Sequence, residues 1–206
     1  MNTAETKHQV FVIHGGDAFA TYEEYIAYLK AMTVDFEHGQ RKGWKSSLPE
    51  ELGEAYEVIA PRMPNANNAK YEEWKIWFEK YIPHMRDGTV LVGHSLGGIF
   101  LAKYLSENQL PVRIDATFLI AAPYDLDSER RIVEFMLPES LALMEKQAGK
   151  LYLFQSSDDP VVAFGELAKY QRALPSAETV TFSDRGHFDQ ESLPELNEHI
   201  RALRPL

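Results

Sequence analysis

Cysteine is missing from all 206 residues. Disulfides, thiolate nucleophiles and cysteine-held zinc are therefore excluded, and the absence fits a reducing compartment. Positive charge is also scarce: 21 Lys and Arg stand against 31 Asp and Glu, a formal net charge of −10. A surface of that sign repels phosphates and anionic lipid, so neither nucleic acid nor membrane is expected as a partner. No run approaches the roughly 18 apolar residues that suggest a bilayer span. Residues 1–9 are polar and lack the apolar stretch of a signal peptide. The expectation is a cytoplasmic, soluble chain. Internal repeats, low-complexity tracts and Pro/Gly/Ser linkers are absent too, so residues 1–206 are expected to form a single domain. With 45% hydrophobic and 25% charged residues, the composition is that of an ordinary globular protein able to bury a substantial core.

What is present is an alternation. Short β-rich runs cover residues 10–13, 56–60, 89–92, 116–121, 151–155 and 178–182. Helical patterns fill 22–34, 71–85, 96–106, 128–146, 164–174 and 193–203. Trp74, Trp77, Phe78 and Tyr81 recur at three- and four-residue steps, the spacing of a buried helix stripe. Successive βα units predict a three-layer α/β/α sandwich around a central, mostly parallel six-stranded sheet. In such a sheet ligands gather beyond the carboxyl ends of the strands, where the strand order reverses. The loops that directly follow strands are therefore the ones to inspect.

After the run 89–92 stands Gly93-His94-Ser95-Leu96-Gly97-Gly98, followed by an apolar helical pattern. This is G-x-S-x-G between a strand and a helix. A serine on so tight a turn lies in strained backbone, and glycines two before and two after it let strand and helix pack. The turn lifts the hydroxyl above the sheet and aims a helix N-terminus at it, where the amide of Leu96 can stabilise an oxyanion. A phosphate-cradling loop is the alternative. The segment lacks the Lys-Ser/Thr of a P-loop and does not match G-x-G-x-x-G.

A serine hydroxyl needs a base. In the α/β-hydrolase arrangement the acid and then the histidine follow later strands. Ser157-Asp158-Asp159-Pro160 follows the fifth run and Gly186-His187-Phe188 the sixth. Pro160 biases Asp159 toward an extended conformation that can carry its carboxylate across the strand ends, which favours Asp159, with Asp158 as the alternative. Of the other histidines, His94 adjoins the nucleophile and should point elsewhere, and His14 is expected to brace a loop. His14-Gly15-Gly16-Asp17 ends the first strand, and the amide of Gly16, or else Asp17, is the second oxyanion donor expected. There is no His-Glu-x-x-His, and His187 with Asp189 and Glu191 reads as a loop before a helix, so no metal is expected.

These residues resemble the compact α/β-hydrolases of the YdeN-like and retinoblastoma-binding-protein-9-like serine hydrolase family. The resemblance rests on Ile13-His14-Gly15, Met63-Pro64-Asn65 with Trp74, Gly93-His94-Ser95-Leu96-Gly97, Ser157-Asp158-Asp159 and Gly186-His187-Phe188. It implies a small parallel sheet with little or no cap, a Ser-Asp-His triad, no cofactor, and the second of the paired aspartates as acid, here Asp159. It also implies esterase-like action on small acyl substrates. Two departures stand out: Ala163 occupies a position where many relatives carry proline, and the stretch 37–53 looks longer. The retinoblastoma-binding property needs a Leu-x-Cys-x-Glu segment, which a chain without cysteine cannot have.

The expected activity is cleavage of small carboxylic esters through an acyl-enzyme. The alternatives are acyl transfer or thioester cleavage by the same triad, or an idle hydrolase fold that binds a partner. Residues 124–149 form either a small apolar lid over Ser95 or a crossover packed on the sheet. Trp44, in a polar loop 37–47, is read as ordinary packing, with lining of the entrance as the alternative.

Overall fold

The computed structural model describes residues 6–33, 42–125 and 133–203. Six strands, β1 His8–Ile13, β2 Tyr56–Ile59, β3 Thr89–His94, β4 Ile114–Ile120, β5 Lys150–Ser156 and β6 Glu178–Phe182, form one sheet. Their order is β2-β1-β3-β4-β5-β6, and every pairing is parallel. A parallel sheet is covered on both faces, so its central strands are apolar throughout rather than alternating with polar residues. β3 is buried along its whole length, while the edge strands β2 and β6 are mostly half-buried. Alternate side chains feed two separate cores. Phe11, Ile13, Leu91, Leu119 and Leu153 join one face; Val10, Val12, Val92, Phe118 and Phe154 join the other.

Seven α-helices lie among the described residues: α1 Tyr22–Ala31, α2 Trp44–Leu52, α3 Tyr71–Glu79, α4 Leu96–Glu107, α5 Ala142–Gln147, α6 Gly165–Ala173 and α7 Pro194–Ala202. α3 to α6 pack on the first face, with Trp74, Phe78 and Phe100 fully buried there. α2 and α7 cover the second face through Trp44, Leu48, Leu196 and Ile200. The result is the expected three-layer α/β/α sandwich.

Three helix boundaries differ from expectation. The pattern 71–85 is a helix to Glu79 and then a separate 3-10 turn, Ile82–His84, because Pro83 has no amide to continue the ladder. The pattern 128–146 keeps a 3-10 turn, Val133–Phe135, and the short α5, with Pro138 between them; residues 126–132 lie outside the described residues. Within 124–149, Phe135, Leu141 and Met144 are buried in the first core beside α3 and α4, as in a packed crossover. The third difference is α2, where a loop was expected. Trp44, Leu48 and Leu52 form its buried stripe.

β1 leads to β2 on one side, while β3 returns to the other side of β1. The order therefore reverses between β1 and β3, and their following loops flank one crevice. Among the described residues, four other than glycine have left-handed φ: Asn65 at 47°, Ser95 at 53°, Ala121 at 47° and Phe188 at 58°. All four lie in loops leaving the carboxyl ends of strands. Strain of this kind costs roughly 1–3 kcal/mol per residue and clusters where function demands it. Among the described residues no helix is long and apolar enough to cross a membrane.

Candidate active site

Ser95 ends β3 and caps α4 with φ 53° and ψ −121°, a conformation held by its amide donating to the Ile120 carbonyl at 2.8 Å. The glycines around it are steric requirements. A Cβ on Gly93 would lie 2.5 Å from the Gly97 carbonyl oxygen, and one on Gly98 would lie 2.6 Å from Ala122 Cβ. At Gly97 it would press on the carbonyls of both Ile13 and His14, the latter at 2.6 Å. Neither backbone can yield without shifting β1. Gly97→Ala is therefore expected to destabilise by about 1–3 kcal/mol, at roughly 2–4 °C of Tm per kcal/mol in a chain of this size. Thermal melting checks this, and an unchanged Tm contradicts the packing argument. Ser95 is buried, and its Oγ has no hydrogen-bond partner among the described residues. Leu96 opens α4, so its amide has no acceptor within the helix.

The structure brings His187 and Asp159 together. His187 Nδ1 lies 2.9 Å from Asp159 Oδ2 and 3.1 Å from Oδ1. The Asp159 carboxylate is fully buried, and its Oδ1 accepts from the amides of Val161 at 2.8 Å and Val162 at 3.0 Å. Pro160 has no amide, so the turn passes its first donors to the next two residues. Asp158 faces away from the imidazole. It is exposed and accepts from the Ser156 hydroxyl and, at 3.0 Å, from the Gly186 amide. The Ser156 bond, aided by Gly186, holds its carboxyl below the usual range. The far nitrogen of His187, Nε2, is buried without a partner, as Ser95 Oγ is.

The β1 loop meets this group from the other side. A Cβ on Gly15 would lie 3.1 Å from Ser95 Cβ, and one on Gly16 would lie 2.5 Å from the Ala66 carbonyl, so the loop passes as bare backbone. The Asp17 amide donates to Ala66 O at 2.8 Å, so it is already committed within the fold. His14 braces the loop: its Nδ1 donates to Gly15 O at 2.6 Å and its Nε2 accepts from the Met63 amide at 2.9 Å. Trp74 holds the adjoining Pro64 carbonyl through its indole N–H at 2.8 Å and meets the His14 ring edge-on. Burial, partly offset by the Gly15 bond, lowers the His14 pKa and favours its neutral form.

Sequence reasoning missed the role of α2. The Trp44 indole donates to Phe188 O at 2.9 Å, the Trp44 amide to Gln190 O at 2.8 Å, and Ser47 Oγ to Glu191 O at 2.6 Å. His94 Nε2 donates to the carbonyl of His187 itself at 2.8 Å. Its Nδ1 lies 3.3 Å from Lys45 Nζ, so His94 is a strut between the histidine loop and α2. Trp44 is thus packing, as expected, but packing that holds the histidine loop. The four-residue step of Trp44, Leu48 and Leu52 was the available signal. Among the described residues no group of three or more His, Asp and Glu side chains converges as a metal site.

Comparison with known proteins bears on the family and the fold. A model of the serine hydrolase family matches residues 35–202. Serine hydrolase RBBP9 of Rattus norvegicus is 26% identical over 164 residues, which cover 78% of this chain and 84% of that protein. The ydeN gene product of B. subtilis has a similar structure, with a TM-score of 0.72 at 21% identity, covering 96% of this chain and 98% of that one. A meta-cleavage product hydrolase from Pseudomonas fluorescens IP01 reaches a TM-score of 0.57 at 14% identity over 95% and 89% of the two chains. The structural likenesses speak for the fold, and the family match spans most of the sequence. The chain belongs to the serine hydrolases, in the family of the YdeN-like and RBBP9-like proteins, and is built on the α/β-hydrolase fold.

Proposed function

We propose that Ser95, His187 and Asp159 act as a catalytic triad that cleaves small carboxylic esters. One observation carries this reading. Ser95 Oγ and His187 Nε2 are both buried and have no hydrogen-bond partner among the described residues, while the other nitrogen of the same imidazole is tied to a buried carboxylate. Leaving a buried polar atom unpaired costs about 1–3 kcal/mol, so two in one crevice mark a site kept ready for a reacting group. His187 takes the Ser95 proton on Nε2 as Oγ bonds to the ester carbonyl carbon. Asp159 remains ionised and holds the Nδ1–H tautomer. The amides of Leu96 and Gly16 receive the developing oxyanion. The alcohol departs with the proton from His187. Water, deprotonated by the same nitrogen, then attacks the acyl carbon, releasing the acid and returning the proton to Ser95. The scheme calls on no cofactor, and its partner is a small ester or acyl substrate.

A fluorophosphonate probe tests the reading directly. The expected result is a covalent adduct on the peptide containing Ser95, found by mass spectrometry. A chain that stays unlabelled, or is labelled elsewhere, overturns the assignment and favours a binding role for the fold.

A further inference from the structure

Lys45 is a cation that this reaction leaves unused. It is the second residue of α2, and no acidic residue stands in that first turn. Its Nζ lies 4.7 Å from the centroid of the Trp44 ring and 3.3 Å from His94 Nδ1. The other nitrogen of that imidazole is committed to the His187 carbonyl. Among the described residues no carboxylate forms an ion pair with Lys45; Asp189 acts on it from farther away. His94 and the Gly15 loop connect the ammonium to the nucleophile. A Cβ on Gly15 would lie 3.1 Å from Ser95 Cβ and 3.5 Å from His94 Nδ1, the atom that Lys45 contacts. Its field reaches His14 on the same loop, where it adds to the lowering by burial.

We propose that Lys45 is a specificity residue that selects substrates bearing a carboxylate a few bonds from the scissile carbonyl, so that half-esters of dicarboxylic acids are the substrate class. This rests on the ester-hydrolysis reading above. A chain of net charge −10 repels anions at long range. A local cation with no ion-pair partner among the described residues would reverse that preference at the site. Lys45 is neither fully buried nor fully exposed. An incoming carboxylate would supply an ion pair that no described residue provides. Burial pushes the Lys45 ammonium down to about 8, with Asp189 opposing, so the site carries its charge at neutral pH and loses it in mild alkali. The titratable groups facing it are His94 from β3, His14 from the β1 loop and Asp189 from the loop before α7.

The test compares two esters, p-nitrophenyl hexanoate and the mono-p-nitrophenyl ester of adipic acid, identical except that a carboxylate replaces the terminal methyl. The expected result below pH 8 is a kcat/KM ratio favouring the anionic ester by about tenfold or more, equivalent to about 1.4 kcal/mol. Lys45→Met should remove that preference and Lys45→Arg should keep it. In the unaltered protein the ratio should fall as pH rises through 8, because the substrate carboxylate stays ionised while the lysine does not. Ionisation of His187 acts on both esters alike and cancels in the ratio. The pH arm needs no variant, so a poorly folding Lys45→Met leaves the test intact. A ratio near one, or a preference that survives in Lys45→Met, overturns the subsite while the neutral ester is still cleaved. Failure to cleave either ester overturns the ester-hydrolysis reading, and the subsite with it.

Discussion

Alanine at position 95 is expected to lower kcat for a short-chain activated ester by about 10⁴-fold or more, with no loss of thermal stability. The two halves of that expectation have one origin. Ser95 Oγ makes no hydrogen bond among the described residues, so its removal breaks nothing and takes away a buried unpaired polar atom. The left-handed backbone at this position is already borne by a residue with a Cβ, and alanine adds no steric demand. p-Nitrophenol release gives the activity, and a thermal melt gives the stability. Turnover persisting within a few fold would remove Ser95 from the chemistry. A collapse of Tm would mean that the hydroxyl is structural.

The second large effect separates the paired aspartates. Asparagine at 159 can still accept from the amides of Val161 and Val162, so the loop should hold. Its amide nitrogen would face His187 Nδ1, however, and force that nitrogen to accept. The imidazole proton then moves to Nε2, the atom that must take the proton from Ser95. Asp159→Asn is thus expected to cut kcat about 10⁴-fold through the wrong tautomer. Asp158→Asn should leave kcat within a few fold, since the side-chain oxygen can still accept from Ser156 and Gly186. Steady-state kinetics of the two variants side by side decide the matter. The opposite ranking would make Asp158 the acid.

The parts of this site that are local in sequence are also the parts legible in it. The elbow at 93–98 needs glycine at fixed offsets from one serine, and every steric contact that requires them arises within the turn or against the neighbouring strand ends. The central strands are legible because burial on both faces leaves no polar alternation. α2 is different. Ser46, Ser47 and Pro49 argue against a helix, and a Trp44 stripe buried against the second core outweighs them. No local pattern could show that Trp44 reaches Phe188, 144 residues away, or that Lys45 reaches His94, 49 residues away. The choice between Asp158 and Asp159 is likewise geometric, because adjacent identical side chains differ only in which way the turn throws them.

The base of the proposed triad is moored on two sides. Asp159 hangs on its own turn, through amides two and three residues ahead of it. The His187 loop is tied by three carbonyls to the first turn of α2 and by one to His94, and its Arg185 and Gly186 amides donate to Ser156 and Asp158 beside the acid. α2 is therefore coupled to the elbow, to the histidine and, through that loop, to the turn that carries the acid. A displacement of that helix would be passed to the whole proposed triad rather than to one member of it. Geometry at this site can thus be tuned, by substitution or by anything that grips α2, from a helix that carries none of the three residues.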